Sequence, residues 1–167
     1  MCKTERTLLM EVTLIEWFKE NFNMNMKTEY RLSTGGIVDL AGVWYDPKRD
    51  DIKDIIFVEI KQSKQDLKYG HGKNFVGLSN YLAVPTELVG EALVWLRDTC
   101  DDWRTGVIEI TKSWKTRIVK YPMLEYKNTI IEDKELIDKI MFDHCGALTP
   151  HIYRALDWKE EQNGTRC

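Results

Sequence analysis

The chain has 167 residues, 31% of them charged, and a formal net charge of −3. This acidic balance argues against a strong non-specific DNA binder, because such proteins usually carry a basic face. No apolar run reaches membrane-spanning length, and the N-terminus has no signal-peptide core. The four cysteines are scattered with no C-x-x-C pair, which favours reduced thiols and a cytoplasmic location.

The length predicts a single domain over residues 1–167. Its first predicted element is an amphipathic helix over Glu5–Asn21, where apolar residues recur at helical spacing. Thr4 is the candidate N-cap of this helix, and Glu11 lies at the flank of its apolar stripe. A first strand is predicted over Thr28–Leu32.

Two further strands, over Gly35–Tyr45 and Ile52–Lys61, are predicted to pair as an antiparallel hairpin. The first of them carries Asp39, and the second carries Glu59 and Lys61. Because side chains alternate along a strand, Glu59 and Lys61 point to the same face. Apolar residues lie on both faces of these strands, which indicates a sheet covered on both sides. Charges in such a place are costly unless they are paired or bind a metal.

These residue types suit metal-assisted hydrolysis of a phosphodiester. Mg²⁺ prefers oxygen ligands and usually takes one or two carboxylates. We therefore predict that Asp39, Glu59 and the backbone carbonyl of Ile60 hold Mg²⁺ or Mn²⁺. Lys61 would position the attacking water and stabilise negative charge, which makes Asp39, Glu59 and Lys61 the candidate catalytic residues.

Ser63 is the candidate N-cap of a short helix through about Tyr69, and a glycine-bounded polar loop follows. Their basic and polar side chains adjoin the predicted metal site and could donate hydrogen bonds to DNA. The candidate DNA-binding residues are Lys64, Lys68, His71, Lys73 and Asn74.

The remaining predicted elements describe an α/β chain with C-terminal helices. A buried strand should lie parallel to the strand of Glu59 after a crossover. A helix, a strand at the sheet edge or extending it, a further strand and two helices then follow. In order, these elements are Ser79–Val84, Glu87–Arg97, Gly106–Ile110, Lys115–Tyr121, Glu132–Cys145 and a helix from Pro150 through Lys159.

Asp39 with Glu59-Ile60-Lys61 resembles the motif of the PD-(D/E)XK nuclease superfamily, with Val38 where the name-giving proline would stand. The stretch from Gln62 to Pro85 looks most similar to small bacterial and phage proteins of the MmcB-like, DNA-repair-associated type. The resemblance covers roughly residues 5–110, with residues 111–167 as an extension. It implies a restriction-endonuclease-like α-β-β-β-α-β core, in which helices flank a mixed central sheet.

The resemblance also implies a divalent metal, a DNA substrate and a glutamate of the first helix that reaches the metal. Glu11 is the candidate for this glutamate, with Glu5 and Glu16 as rivals. The leading hypothesis is a Mg²⁺-dependent deoxyribonuclease that acts on double-stranded or branched DNA, in DNA repair or phage DNA processing. The alternatives are a catalytically inactive module that binds nucleic acid or protein, and a nuclease directed at RNA. The C-terminal helices could pack on the core, clamp DNA or form a homodimer contact.

Overall fold

The computed structural model describes residues 3–32, 36–46, 51–69, 77, 79–99 and 105–123. The first six elements follow the order α-β-β-β-α-β, which confirms the predicted α/β fold class. A 3₁₀ turn over Thr86–Leu88 precedes the third helix. In chain order the helices and strands are α1 (Glu5–Phe22), β1 (Met26–Arg31), β2 (Ile37–Asp46), β3 (Asp51–Ile60), α2 (Lys64–Tyr69), β4 (Ser79–Pro85), α3 (Val89–Thr99), β5 (Thr105–Ile110) and β6 (Thr116–Lys120).

The described strands form one mixed sheet of six strands in the order β1-β2-β3-β4-β5-β6. β1, β2 and β3 pair antiparallel, β3, β4 and β5 pair parallel, and β6 returns antiparallel to β5. The predicted parallel pairing of β3 with β4 is therefore confirmed. The sequence left β5 either at the edge of the sheet or extending it, and the structure places it inside, between β4 and β6. Every residue of β4 and β5 is buried, as expected for strands covered on both faces.

Helix α1 packs on one face of the sheet. Its N-terminus is capped as predicted, because the Thr4 hydroxyl accepts a hydrogen bond from the Thr7 N–H at 3.2 Å. The helix ends at Asn23, whose left-handed backbone (φ 50°) suits a C-terminal cap. The apolar side of α1 and the sheet form one buried cluster that includes Met10, Leu14, Phe18, Leu40, Val58, Ile60, Ala83 and Ile108.

Helices α2 and α3 cover the other face of the sheet. Their apolar side chains form a separate buried cluster with β4 and β5, made of Leu67, Leu82, Val84, Leu88, Ala92, Leu96 and Val107. The central strands are therefore covered on both sides, as the sequence predicts. The Glu59 side chain on β3 is consequently held in a low-dielectric setting, where an ionised group needs a partner.

No helix within the described residues is long and apolar enough to cross a membrane. The predicted helices Glu132–Cys145 and Pro150–Lys159 lie outside the described residues.

Candidate active site

Strands β2 and β3 diverge at the point where the predicted catalytic residues lie. Their antiparallel pairing runs along both strands and its last pair is Leu40 with Val58. At the next position a side chain replaces the backbone partner, because Asp39 Oδ2 accepts a hydrogen bond from the Ile60 N–H at 2.7 Å. The Lys61 N–H instead donates to a carbonyl of β4 at 3.0 Å. The Asp39 carboxylate thus lies in the fork between β2 and β3, against the Glu59–Ile60 peptide.

Glu59 and Lys61 are both buried beside this fork, with exposed fractions of 2% and 5%. The Lys61 ammonium lies 3.9 Å from a carboxylate oxygen of Asp66 in α2. The other oxygen of Asp66 accepts a hydrogen bond from the Gln62 N–H at 3.2 Å. The Ser63 hydroxyl accepts one from the Asp66 N–H at 3.1 Å, as expected for the N-cap that the sequence predicts at Ser63. Helix α2 therefore fixes both the chain after Lys61 and the carboxylate beside its ammonium.

Among the three glutamates of α1 considered from the sequence, Glu11 is the one directed toward this fork. Its side chain is 1% exposed and forms an ion pair with the Lys3 ammonium. Burial, and to a smaller extent the nearby carboxylates of Asp39 and Glu29, raise the pKa of Glu11 to about 7 against the lowering effect of Lys3. Glu5, in contrast, is exposed.

Lys3 and Glu29 are members of this cluster that the sequence did not indicate. The Lys3 ammonium lies 3.3 Å from a carboxylate oxygen of Glu29 in β1, in addition to its contact with Glu11. Burial lowers the pKa of Lys3, but the carboxylates of Glu11, Asp39 and Glu29 outweigh that effect and the net shift is upward. Glu29 has a left-handed backbone (φ 50°), which is unusual for a strand residue other than glycine. The sequence carries no signal for that conformation.

The donor set at the fork fits a hard divalent cation. Among the residues that the structure describes, no three His, Cys, Asp or Glu side chains form a group that could hold a metal ion. Mg²⁺, however, is commonly held by one or two carboxylates while it keeps several waters. The carboxylates of Asp39 and Glu59 and the carbonyl of Ile60 offer only oxygen donors, which suit Mg²⁺ or Mn²⁺. Glu11 is engaged by Lys3.

The predicted DNA-binding residues are only partly within the described chain. Lys64 forms an ion pair with Glu91 of α3, although its side chain is largely exposed. Lys68 is exposed on α2. His71, Lys73 and Asn74 lie outside the described residues.

A cavity of about 410 Å³ lies next to this region but is not lined by Asp39, Glu59 or Lys61. It opens between the start of α1, the ends of β4 and β5, and the β5–β6 turn. The Thr4 hydroxyl, just before the α1 residues that line the cavity, donates a hydrogen bond to Gln62 Oε1 at 2.9 Å. The cavity is therefore separate from the fork. The hydrogen bond between Thr4 and Gln62 joins the start of α1, which lines the cavity, to the residues that follow β3.

Comparison with known proteins supports the fold and goes no further. No family model and no curated protein matches the chain. A solved structure described as the SPO1766 protein of unknown function from Silicibacter pomeroyi is similar, with a TM-score of 0.54 and 19% sequence identity. The match covers 93% of this chain and 91% of that one. The similarity therefore extends over nearly the whole of both chains, and at this identity it concerns the fold alone.

Proposed function

We propose that this protein is a divalent-metal-dependent nuclease that hydrolyses phosphodiester bonds of DNA. The observation that carries the proposal is the fork of β2 and β3. There the Asp39 carboxylate is held at 2.7 Å from the Ile60 N–H, next to buried Glu59 and Lys61. Burying two carboxylates and a lysine at the end of a covered sheet costs free energy of folding. Their presence there therefore points to a function other than stabilising the fold.

Each of these side chains has a distinct part in the proposed reaction. A bound divalent ion would offset phosphate charge and lower the pKa of an attacking water. Asp39 and Glu59 would hold that ion, and the Ile60 N–H keeps one oxygen of Asp39 in place. The Lys61 ammonium would donate hydrogen bonds to the water or to a phosphate oxygen. Asp66, 3.9 Å away, restrains the ammonium electrostatically.

The test is cleavage of a panel of double-stranded, single-stranded and branched DNA with Mg²⁺ or Mn²⁺. Wild-type protein should cut at least one of these substrates, whereas Asp39→Asn and Lys61→Met should not, although both variants fold. Lys112→Met is the matched control, since Lys112 is an exposed lysine of the β5–β6 turn. It should cut like the wild type. If wild-type protein leaves the whole panel intact with both metals, the proposal of a deoxyribonuclease is wrong.

A second candidate is a module that keeps the fold and binds nucleic acid or protein without cutting. Intramolecular ion pairs favour it, because Lys64 is engaged by Glu91 and Glu11 by Lys3. Such a module should show no Mn²⁺-dependent rise in melting temperature. A rise that disappears in Asp39→Asn would instead favour the nuclease. An RNA substrate in the same panel tests the third hypothesis.

A further inference from the structure

Acidic side chains lie at the same level on three neighbouring strands. Thr28 pairs with Leu40, and Leu40 pairs with Val58. One step further along the antiparallel strands, Glu29 of β1, Asp39 of β2 and Glu59 of β3 follow one another across the sheet. We call this set the acidic row. Glu11 of α1 lies near the end of the acidic row that is formed by Glu29, as shown by the contact of both carboxylates with the same ammonium.

That ammonium belongs to Lys3, whose position is set by contacts of the next residue. Thr4 caps α1 through the Thr7 N–H, and its carbonyl accepts the Leu8 N–H at 3.1 Å. Its hydroxyl also lies 2.9 Å from Gln62 Oε1. The backbone at Lys3 is therefore tied both to the helix and to the end of β3. The side chain of Lys3 is only 19% exposed.

We propose that the Lys3 ammonium is a built-in second cation of this site. It fills the Glu11–Glu29 end of the acidic row and leaves room for one divalent ion at the Asp39–Glu59 end. The inference depends on the proposed function, because that function places a divalent ion at the fork. It goes further by assigning a role to Lys3 and by fixing the number of metal ions at one.

Charge supports this assignment. The carboxylates of Glu11, Glu29 and Asp39 all act on the Lys3 ammonium, and like charges at short distance repel strongly where water is scarce. One divalent ion at the fork would leave Glu11 and Glu29 uncompensated if Lys3 were absent. The Lys3 ammonium neutralises the carboxylates of Glu11 and Glu29 through direct contact, so that no second divalent ion is needed there. Removing the ammonium should therefore create a vacancy that a free divalent cation can fill.

The experiment is a Mn²⁺ titration of the full chain, in which electron paramagnetic resonance counts the ions that leave the free-ion signal. It is run at about pH 8, above the Glu11 pKa of about 7. The variants are Lys3→Met and Lys3→Gln, with Lys3→Arg to keep the charge in place. Lys112→Met changes net charge equally at an exposed site outside the acidic row. Thermal melts without metal establish that each variant is folded.

Wild type, Lys3→Arg and Lys112→Met should each bind one Mn²⁺, and Lys3→Met and Lys3→Gln should bind two. Adding Glu29→Gln to Lys3→Met should return the number to one, which would locate the extra ion. Equal numbers in wild type and Lys3→Met, or two ions in wild-type protein itself, would overturn the inference and leave the proposed function intact. Wild-type protein that binds no Mn²⁺ would overturn the proposed function as well.

Discussion

Substitutions of Asp39 separate its contribution to stability from its proposed role in metal binding. The side chain of Asp39 closes the β2–β3 fork by accepting the Ile60 N–H at 2.7 Å. Asparagine keeps an acceptor oxygen at nearly the same place, whereas alanine leaves the Ile60 N–H without this partner in a setting where Ile60 is 4% exposed. We therefore expect Asp39→Ala to be clearly less stable than Asp39→Asn, while neither binds a divalent ion.

The size of the difference follows from this hydrogen bond. A hydrogen bond to a charged group contributes about 1.5–3 kcal/mol and a neutral one about 0.5–1.5 kcal/mol. Losing the carboxylate also relieves repulsion with Glu11 and forfeits attraction to Lys3, and these two effects oppose each other. Asp39→Asn should therefore cost at most about 1 kcal/mol of unfolding free energy. Asp39→Ala should cost about 2–3 kcal/mol, since a buried donor is left unsatisfied.

The assay is urea denaturation of metal-free protein, with Asp98 as the matched control site. Asp98 is exposed, and within the described part of the chain it forms an ion pair with the adjacent Arg97. Its alanine and asparagine variants should both stay within about 0.5 kcal/mol of wild type. Equal stabilities for Asp39→Ala and Asp39→Asn would refute the assignment of the fork hydrogen bond as a structural contact.

Two other predictions concern stability. The pKa of Glu11 is raised from 4.5 to about 7, so the folded state binds its proton more tightly than the unfolded state. The stability from this group is therefore full below about pH 4.5 and is lost as pH rises to about 7, by up to about 3 kcal/mol. Urea denaturation from pH 5 to pH 8 should show a smaller fall for Glu11→Gln, and an unchanged fall would contradict the assignment. Gly106→Ala would place a methyl group 2.7 Å from the Tyr81 ring and from the Lys120 carbonyl, and it should destabilise by about 1–3 kcal/mol in thermal melts. A methyl group added by Gly90→Ala in α3 would meet no atom of the described residues within 4 Å, and this variant should stabilise by up to about 1 kcal/mol. A similar shift for both variants would contradict the contacts described for β5.

Much of the fold could be predicted from local pattern. The spacing of apolar residues and the cap at Thr4 define α1, and alternation defines the strands of Asp39 and of Glu59 with Lys61. These signals concern neighbours in sequence, where helix and strand periodicity determines which side chains share a face. The position of β5 inside the sheet depends on packing of distant segments, so the sequence left it open.

The charged surroundings of the site were harder to predict, because long side chains find their partners only after the elements have packed. The sequence makes Glu11 the candidate with Glu5 and Glu16 as rivals, and the packed structure buries Glu11 more deeply than either. Lys3 precedes the helix and gives no periodic signal, yet it contacts two carboxylates. Lys64, expected to contact DNA, is paired with a residue of α3.

The most direct test of the central claim is a crystal structure of the protein soaked in Mn²⁺, inspected by anomalous diffraction. We expect one anomalous peak between the carboxylates of Asp39 and Glu59, with Lys3 still in contact with Glu11 and Glu29. The same soak of Asp39→Asn crystals should show no peak at that position. A wild-type crystal with no peak at the fork, or with Mn²⁺ bound only elsewhere, would contradict the claim that this fork is a metal-dependent active site.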